Sequence, residues 1–502
     1  MNQFNSPAPA PDANNGPGAA LKSSGLAASL AAAVAFASLA GYDRGFQGAI
    51  EGSALARPFF AIFEILKTTL AKIELVRQGR LGSIIQNASY LLLLLLFACL
   101  GLPQFASDKE GLAFISLTAL IVFSAGRLLG GRSGRDWLAS DGLVLGYFGA
   151  NVIAAFASHY LPESFKGLSK VAVYILTYFF LTASLQGSRR KLGGAWVVTL
   201  LTGFAVSLYG LYQYKIGVAP LATWEDPTVD SKETRVFSTL GNPNLLAGYL
   251  IPMVPVAFSL SLCAFFIKSK MKWPAAFFGF ALTAVIAAAT WLTGSRGGYL
   301  SLAAMAGAFA LAALAYLLRH KPKLVLPSLL GILLLLVAGV AAVHFLAPSY
   351  EQRITSIFAG SAHSSNAYRQ YVWRASLRMF EDNWWFGVGP GNTAFRLAYG
   401  LYMESGFDAL GTYCVPLEVG VECGIIGLFF FAALIVNAFA CAHIAFWRAD
   451  DKVGTLLAIG LAAALVGLMT QGMVDTVFYR PQVHFIFWLV IASLLELPRK
   501  LI

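Results

Sequence analysis

The chain has 502 residues, of which 58% are hydrophobic and only 12% charged, with a mean hydropathy of +0.68. Such a composition excludes a string of soluble domains and predicts a bundle of membrane spans. The formal net charge of +11 would suit nucleic acid, but the basic residues lie in short clusters between apolar runs, which argues against that partner and for cytoplasmic loops.

Residues 1–58 read as a disordered tail rich in Pro, Ala, Asn and Gly, followed by a short apolar segment. Within it the run from Gly25 to Gly41 is short for a span and suits a surface helix better. Residues 59–83 repeat apolar positions at helical spacing among Glu64, Lys67, Lys72, Glu74, Arg77 and Arg80, the pattern of an amphipathic helix on the cytoplasmic face. Spans are expected near 84–103, 111–126, 137–157, 168–186, 193–211, 240–266, 273–293, 297–318 and 324–346, and again near 416–446, 453–473 and 482–497. Alternate connections, GRLLGGRSGRD, GSRRK, KSKMK, RHKPK, WRADDK and the terminal LPRK, are basic. The weave therefore has about twelve spans with both termini cytoplasmic and the remaining loops outside.

One outer connection stands apart. Residues 347–415 form the only long polar passage between spans, and their centre, SSNAYRQYVWRASLRMFEDNWWFGVGPGNTAF, mixes apolar and charged positions as a helix beside a membrane surface would. Trp384, Trp385 and Phe386 then precede Gly387, Gly389, Pro390 and Gly391, so that helix stops where indoles favour the headgroup level.

Three arginines lie at outer span ends: Arg235 in TRVFSTLGNPNLLAGYL, Arg296 in WLTGSRGGYL and Arg369 in SSNAYRQYVW. An arginine beside hydrocarbon is costly unless it meets a wet cavity or an anion, and guanidinium grips phosphate without losing its charge. Each could instead snorkel to headgroups. The turn containing Asn242, Pro243 and Asn244 opens a span and leaves N–H groups where an anion could sit, though simple helix initiation needs the same residues. Glu418 and Glu422 are one turn apart at the start of a span, either sharing a cavity or pairing with an arginine to hold the bundle. His363 is the one histidine in the polar passage and could act as an outward base or simply be solvated. Cys99, Cys263, Cys414, Cys423 and Cys441 lack metal-ligand spacing, and no nucleotide loop or zinc motif is present, so neither metal nor cofactor is expected.

Arg235 with GNPN, TGSRGG, the R-x-x-x-W run from Arg369 leading to FGVGPGNTAF, and the E-x-G-x-x-G from Glu422 to Gly427 follow one another in the order of the O-antigen ligase and polymerase superfamily, which the chain resembles over most of residues 84–497. The resemblance implies a GT-C-like, all-α polytopic enzyme of the bacterial inner membrane with one large periplasmic loop. It implies transfer of a glycan from an undecaprenyl-diphosphate carrier to a glycan or lipid acceptor, without a metal, with Arg235 and Arg296 on the diphosphate. Within the superfamily the chain is most similar to a branch labelled as bicarbonate transporters. Ligases place a His-Asn pair before the final glycines, where this chain has Tyr413 and Cys414. Tyrosine is a poor base near neutral pH, so Glu418, Glu422 or His363 would have to replace the histidine. An inorganic-carbon transporter and a non-catalytic polyprenyl-lipid binder are the alternative readings.

Overall fold

The computed structural model describes residues 37–53, 57–70, 80–107, 109–130, 136–219, 234–346, 364–448 and 451–498, with a few isolated positions besides. Among the described residues the chain is helical throughout and has no strand. Two short helices, α1 (Asp43–Gly52) and α2 (Arg57–Leu70), precede the spans α3 (Arg80–Cys99), α4 (Lys109–Leu129), α5 (Ala139–Ala157), α6 (Leu161–Leu185) and α7 (Arg189–Ile216). Then come α8 (Pro243–Leu250), α9 (Met253–Cys263), α10 (Lys272–Leu292), α11 (Arg296–His320) and α12 (Val325–Leu346). The polar passage holds α13 (Ser364–Asp382) and α14 (Asn392–Tyr399), and the chain closes with α15 (Val415–Arg448), α16 (Lys452–Gly472) and α17 (Pro481–Glu496). Eleven helices among the described residues are long and apolar enough to cross a membrane, and α17 is a shorter apolar helix. The protein is thus an all-α polytopic membrane protein.

Burial separates these spans into a centre and a rim. In α17 almost every residue is buried, from Pro481 to Glu496, and its sequence is apolar all round because helices surround it. It packs against α6, α15 and α16, while α16 also meets α9 and α11. At the rim, none of the window Pro322–Gly339 is buried. Local chemistry sets the helix starts: the Ser188, Asn242, Ser295 and Asp451 side chains accept hydrogen bonds from first-turn N–H groups of α7, α8, α11 and α16.

Three elements depart from the sequence expectation. Of the amphipathic run expected over 59–83, α2 covers the part to Leu70, residues 71–79 lie outside the described residues, and the first span begins at Arg80, four residues before expectation. The span expected near 240–266 is one crossing, Pro243–Phe266, but it is broken internally into α8 and α9, since Pro252 and Pro255 have no N–H to continue the ladder. The span expected near 168–186 starts seven residues earlier, at Leu161. Gly167, in that extra stretch, lies against Pro390 and Gly391; a Cβ there would come within 1.9 Å of the Pro390 carbonyl oxygen.

Candidate functional site

The glycine-rich turn after α13 is fitted into a break in α15. Gly424 has φ 64° and ψ −168°, which interrupts the helix and frees backbone groups on either side. The turn takes them up: Val388 N–H donates to Val421 O (2.9 Å), Gly389 N–H to Glu422 O (3.1 Å), and Ile425 N–H to Trp384 O (2.7 Å). No side chain fits in this crossing. A Cβ on Gly387 would lie 2.4 Å from the Glu422 carbonyl, and one on Gly424 would lie 2.1 Å from that of Trp385. The break thereby fixes where Glu418 and Glu422 sit relative to α13.

Four segments far apart in sequence close into a polar ring at this end of the bundle. Arg235 donates through Nε to Thr293 O (3.0 Å) and through NH2 to Asn244 Oδ1 (3.2 Å). Three residues on from Thr293, Arg296 donates through NH1 to Asn366 Oδ1 (3.0 Å). Arg369 stands one turn after Asn366 on α13, and its positive charge acts on Asp475, as does that of Arg235. The Asn244 amide completes the ring by donating to Asp475. Asn242 is the N-cap of α8, accepting from Asn244 N–H (2.8 Å) and Leu245 N–H (3.2 Å), so its oxygen is engaged within the turn. The segment that carries Arg235 is held from behind: Gln213 Oε1 accepts from Phe237 and Ser238 N–H groups, and Ser238 Oγ donates to Val206 O.

In charge, the ring holds three guanidinium groups and one carboxylate. Asp475 accepts from Thr476 N–H (2.8 Å), and burial pushes its carboxyl up, while Arg369, Thr476 N–H, Asn244 and Arg235 pull it back. The Arg369 Nε is buried and, among the described residues, has no hydrogen-bond partner. Guanidinium groups brought together in this way suit a phosphate, which takes several charged donors at once.

The two glutamates have different surroundings. Glu422 accepts from the Tyr479 hydroxyl at Oε1 (2.6 Å) and from Gly391 N–H, with Lys170 within electrostatic reach. It ties α15 to the glycine turn and to the segment before α17. Glu418 is 4% exposed, and among the described residues its Oε2 has no hydrogen-bond partner. It faces Glu422 and Asp475. Tyr413 has a left-handed backbone, φ 54°, and its ring lies 5.7 Å from that of Tyr368 in a T-shaped pair. Burial pushes its phenol up, as do Tyr368 and Asp475, while Arg369 pulls it down, so it stays protonated near neutral pH. His363 lies outside the described residues. Among the described residues no group of three or more His, Cys, Asp and Glu is arranged to hold a metal ion.

Sequence reasoning singled out Arg235, Arg296, Arg369 and Asn244, and these come together in the ring. It passed over Asp475, Asn366, Thr293, Gln213 and Tyr479. The signal for Asp475 was a carboxylate at a span end on the same side as the arginines. Comparison with known proteins adds one finding. Residues 280–432 match the family model of the O-antigen ligase, so the chain carries a domain of that family, running from α10 past the break in α15. The match includes Arg296, Arg369, Glu418 and Glu422 and leaves Arg235, Asn244 and Asp475 outside it. No curated protein matches the chain.

Proposed function

We propose that this chain, with its O-antigen ligase domain, transfers a glycan from an undecaprenyl-diphosphate carrier to a glycan or lipid acceptor at the outer face of the bacterial inner membrane. The family match supports glycan ligation in a membrane in general. The observation that carries the finer reading is the ring itself, in which Arg235, Arg296 and Arg369 converge although 134 positions separate the first from the last (369 − 235).

In this reading the arginines and Asn244 hold the diphosphate, and Asp475 keeps the guanidinium groups in place when the site is empty. An acceptor hydroxyl attacks the anomeric carbon, and the bond from that carbon to the diphosphate oxygen breaks. The electron pair leaves on the diphosphate, where three fixed cations stabilise the growing charge. The hydroxyl proton passes to Glu418, the carboxylate with an unengaged oxygen. Glu422 already accepts two hydrogen bonds and positions the turn. Tyr413, being protonated, can only donate.

The test is binding of undecaprenyl-diphosphate-linked glycan to the purified protein in nanodiscs. The parent should bind, and Arg235→Ala and Arg296→Ala should each weaken binding by tenfold or more, about 1.5–3 kcal/mol for a charged hydrogen-bonding partner. A parent that does not bind, in vesicles that nevertheless accumulate labelled bicarbonate, would overturn the enzyme reading in favour of transport.

A further inference from the structure

We infer that the end of the bundle away from the arginine ring holds one anionic phospholipid, its phosphate beside Lys452 and an acyl chain in a groove between α7, α9, α10 and the start of α16. No ring residue takes part, so the site stands or falls apart from glycan transfer.

The groove has a volume of about 440 Å³, and its walls carry no charged side chain. Leu200, Phe266, Ile267, Ala275, Leu282 and Val453 are among its lining residues. Ser261, the hydroxyl in the walls, donates to Ala257 O within its own helix (2.7 Å) and makes no demand on an occupant. The depth suits one leaflet. From Lys272 at the mouth to Leu282 at the far wall, α10 rises over ten residues, about 15 Å, half of a hydrocarbon core of about 30 Å.

Charge gathers at the mouth, and one cation is seated on the wall itself: Lys452 Nζ lies 5.4 Å from the centre of the Phe266 ring. Phe266 and Ile267, 45% and 44% exposed, run straight into Lys268, Lys270 and Lys272, a connection without an acidic residue. Val453, next to Lys452, accepts at its carbonyl from Cys263 Sγ (3.9 Å), which closes α16 onto the end of α9. The neighbouring carboxylate is engaged: Asp451 pairs with Arg189 and caps α16 by accepting from Val453 N–H (3.0 Å). Asp450 lies outside the described residues. Basic connections between spans need no ligand to explain them. A lysine held over the wall of an apolar trough one leaflet deep is a different arrangement, and it matches the phosphate and tail of an anionic lipid. Bound there, the lipid joins three crossings that carry Asn244, Thr293 and Asp475 at or just past their other ends.

Dioleoyl phosphatidylglycerol and dioleoyl phosphatidylcholine carry the same chains and differ in net charge, so they separate headgroup from tail. Both are titrated into the delipidated full-length protein and counted by native mass spectrometry. The first phosphatidylglycerol should bind several-fold more tightly than the first phosphatidylcholine. Lys452→Gln should cost about fivefold for phosphatidylglycerol, the worth of one lysine near an anionic surface, and leave phosphatidylcholine unchanged. Ala275→Phe fills the trough and should abolish the preference; should that variant not fold, Lys452→Gln, at an exposed position, still decides. Lys323→Gln, an equal loss of charge beside the rim helix α12, should change nothing. Equal losses in Lys323→Gln and Lys452→Gln would mean diffuse attraction to a basic surface and would overturn the site. So would a parent that does not distinguish the two lipids, or a preference that survives both Lys452→Gln and Ala275→Phe.

Discussion

The two ends of the bundle both bury polar side chains, but they treat them differently. At the end away from α13, Asp141 is fully buried and accepts from the Tyr178 hydroxyl (2.9 Å) and Leu138 N–H (2.7 Å). Asp43 of α1 accepts from Ala139 N–H (2.8 Å), Ser140 donates to Asn437 Oδ1 (2.9 Å), and Asn437 donates to Ala37 O (3.0 Å). These groups answer one another, and the short segment before α1 is thereby pinned to α5 and α15. At the α13 end, Arg369 Nε is buried without a hydrogen-bond partner among the described residues, and so is Glu418 Oε2. A closed polar network holds a fold together, whereas an open one keeps its donors for something that arrives.

The contrast repeats inside the α13 end, one helical turn apart, and there the largest effect is expected. Glu422 is closed by Tyr479 and Gly391; Glu418 is open. Glu418→Gln should lower the turnover of glycan transfer by about 10²–10⁴, the range for losing a positioned acid–base group, with little change in donor binding. Glu422→Gln keeps an oxygen for both donors and should retain most of the rate. Single-turnover kinetics on both variants checks this; equal rate losses would dissolve the distinction between the two carboxylates.

Next in size is the exchange of stability for binding between the ends. Asp141→Ala strands the Tyr178 hydroxyl and the Leu138 N–H, at about 1–3 kcal/mol each, so its melting temperature in detergent should drop while donor affinity is kept. Arg369→Ala should do the reverse, costing about 1.5–3 kcal/mol of diphosphate binding with a small change in melting temperature. Loss of stability in Arg369→Ala matching that of Asp141→Ala would mean that the ring, too, is structural.

The spans were legible in the sequence because each is a long apolar run and a lipid environment demands continuous helix. Within that reading, α10, α11 and α16 begin within a residue of expectation. The polar start of α6, LPESFKG, was not readable as helix, because what holds it is Gly167 against a turn more than two hundred residues away. The same limit applies to the site. Arg235, Arg296 and Arg369 announce themselves as charges beside hydrocarbon. Asp475 does not, since a single acidic residue in the short DTVFYRP connection is ordinary until tertiary packing sets it between two guanidinium groups and the Asn244 amide. Nor did the E-x-G pattern disclose that Gly424 breaks its helix, which is what separates the engaged Glu422 from the unengaged Glu418.

The smallest expected effect concerns that aspartate, and it decides whether the ring is open because its own anion is weak. Ionised, Asp475 competes with an incoming phosphate for Arg369 and Arg235; protonated, it does not. Burial raises its pKa above the ordinary carboxylate value, so the protonated form persists to a higher pH than in a solvated aspartate. Sulfate keeps its charge across this range and is therefore the probe to use. Its affinity for the purified protein should rise a few-fold as pH is lowered through the titration of Asp475. Asp475→Asn should hold sulfate at the low-pH affinity and show no such rise. A pH profile that is unchanged in Asp475→Asn would assign the titration elsewhere. The ring would then be matched internally, like the far end, and would lose its claim to be waiting for an anion.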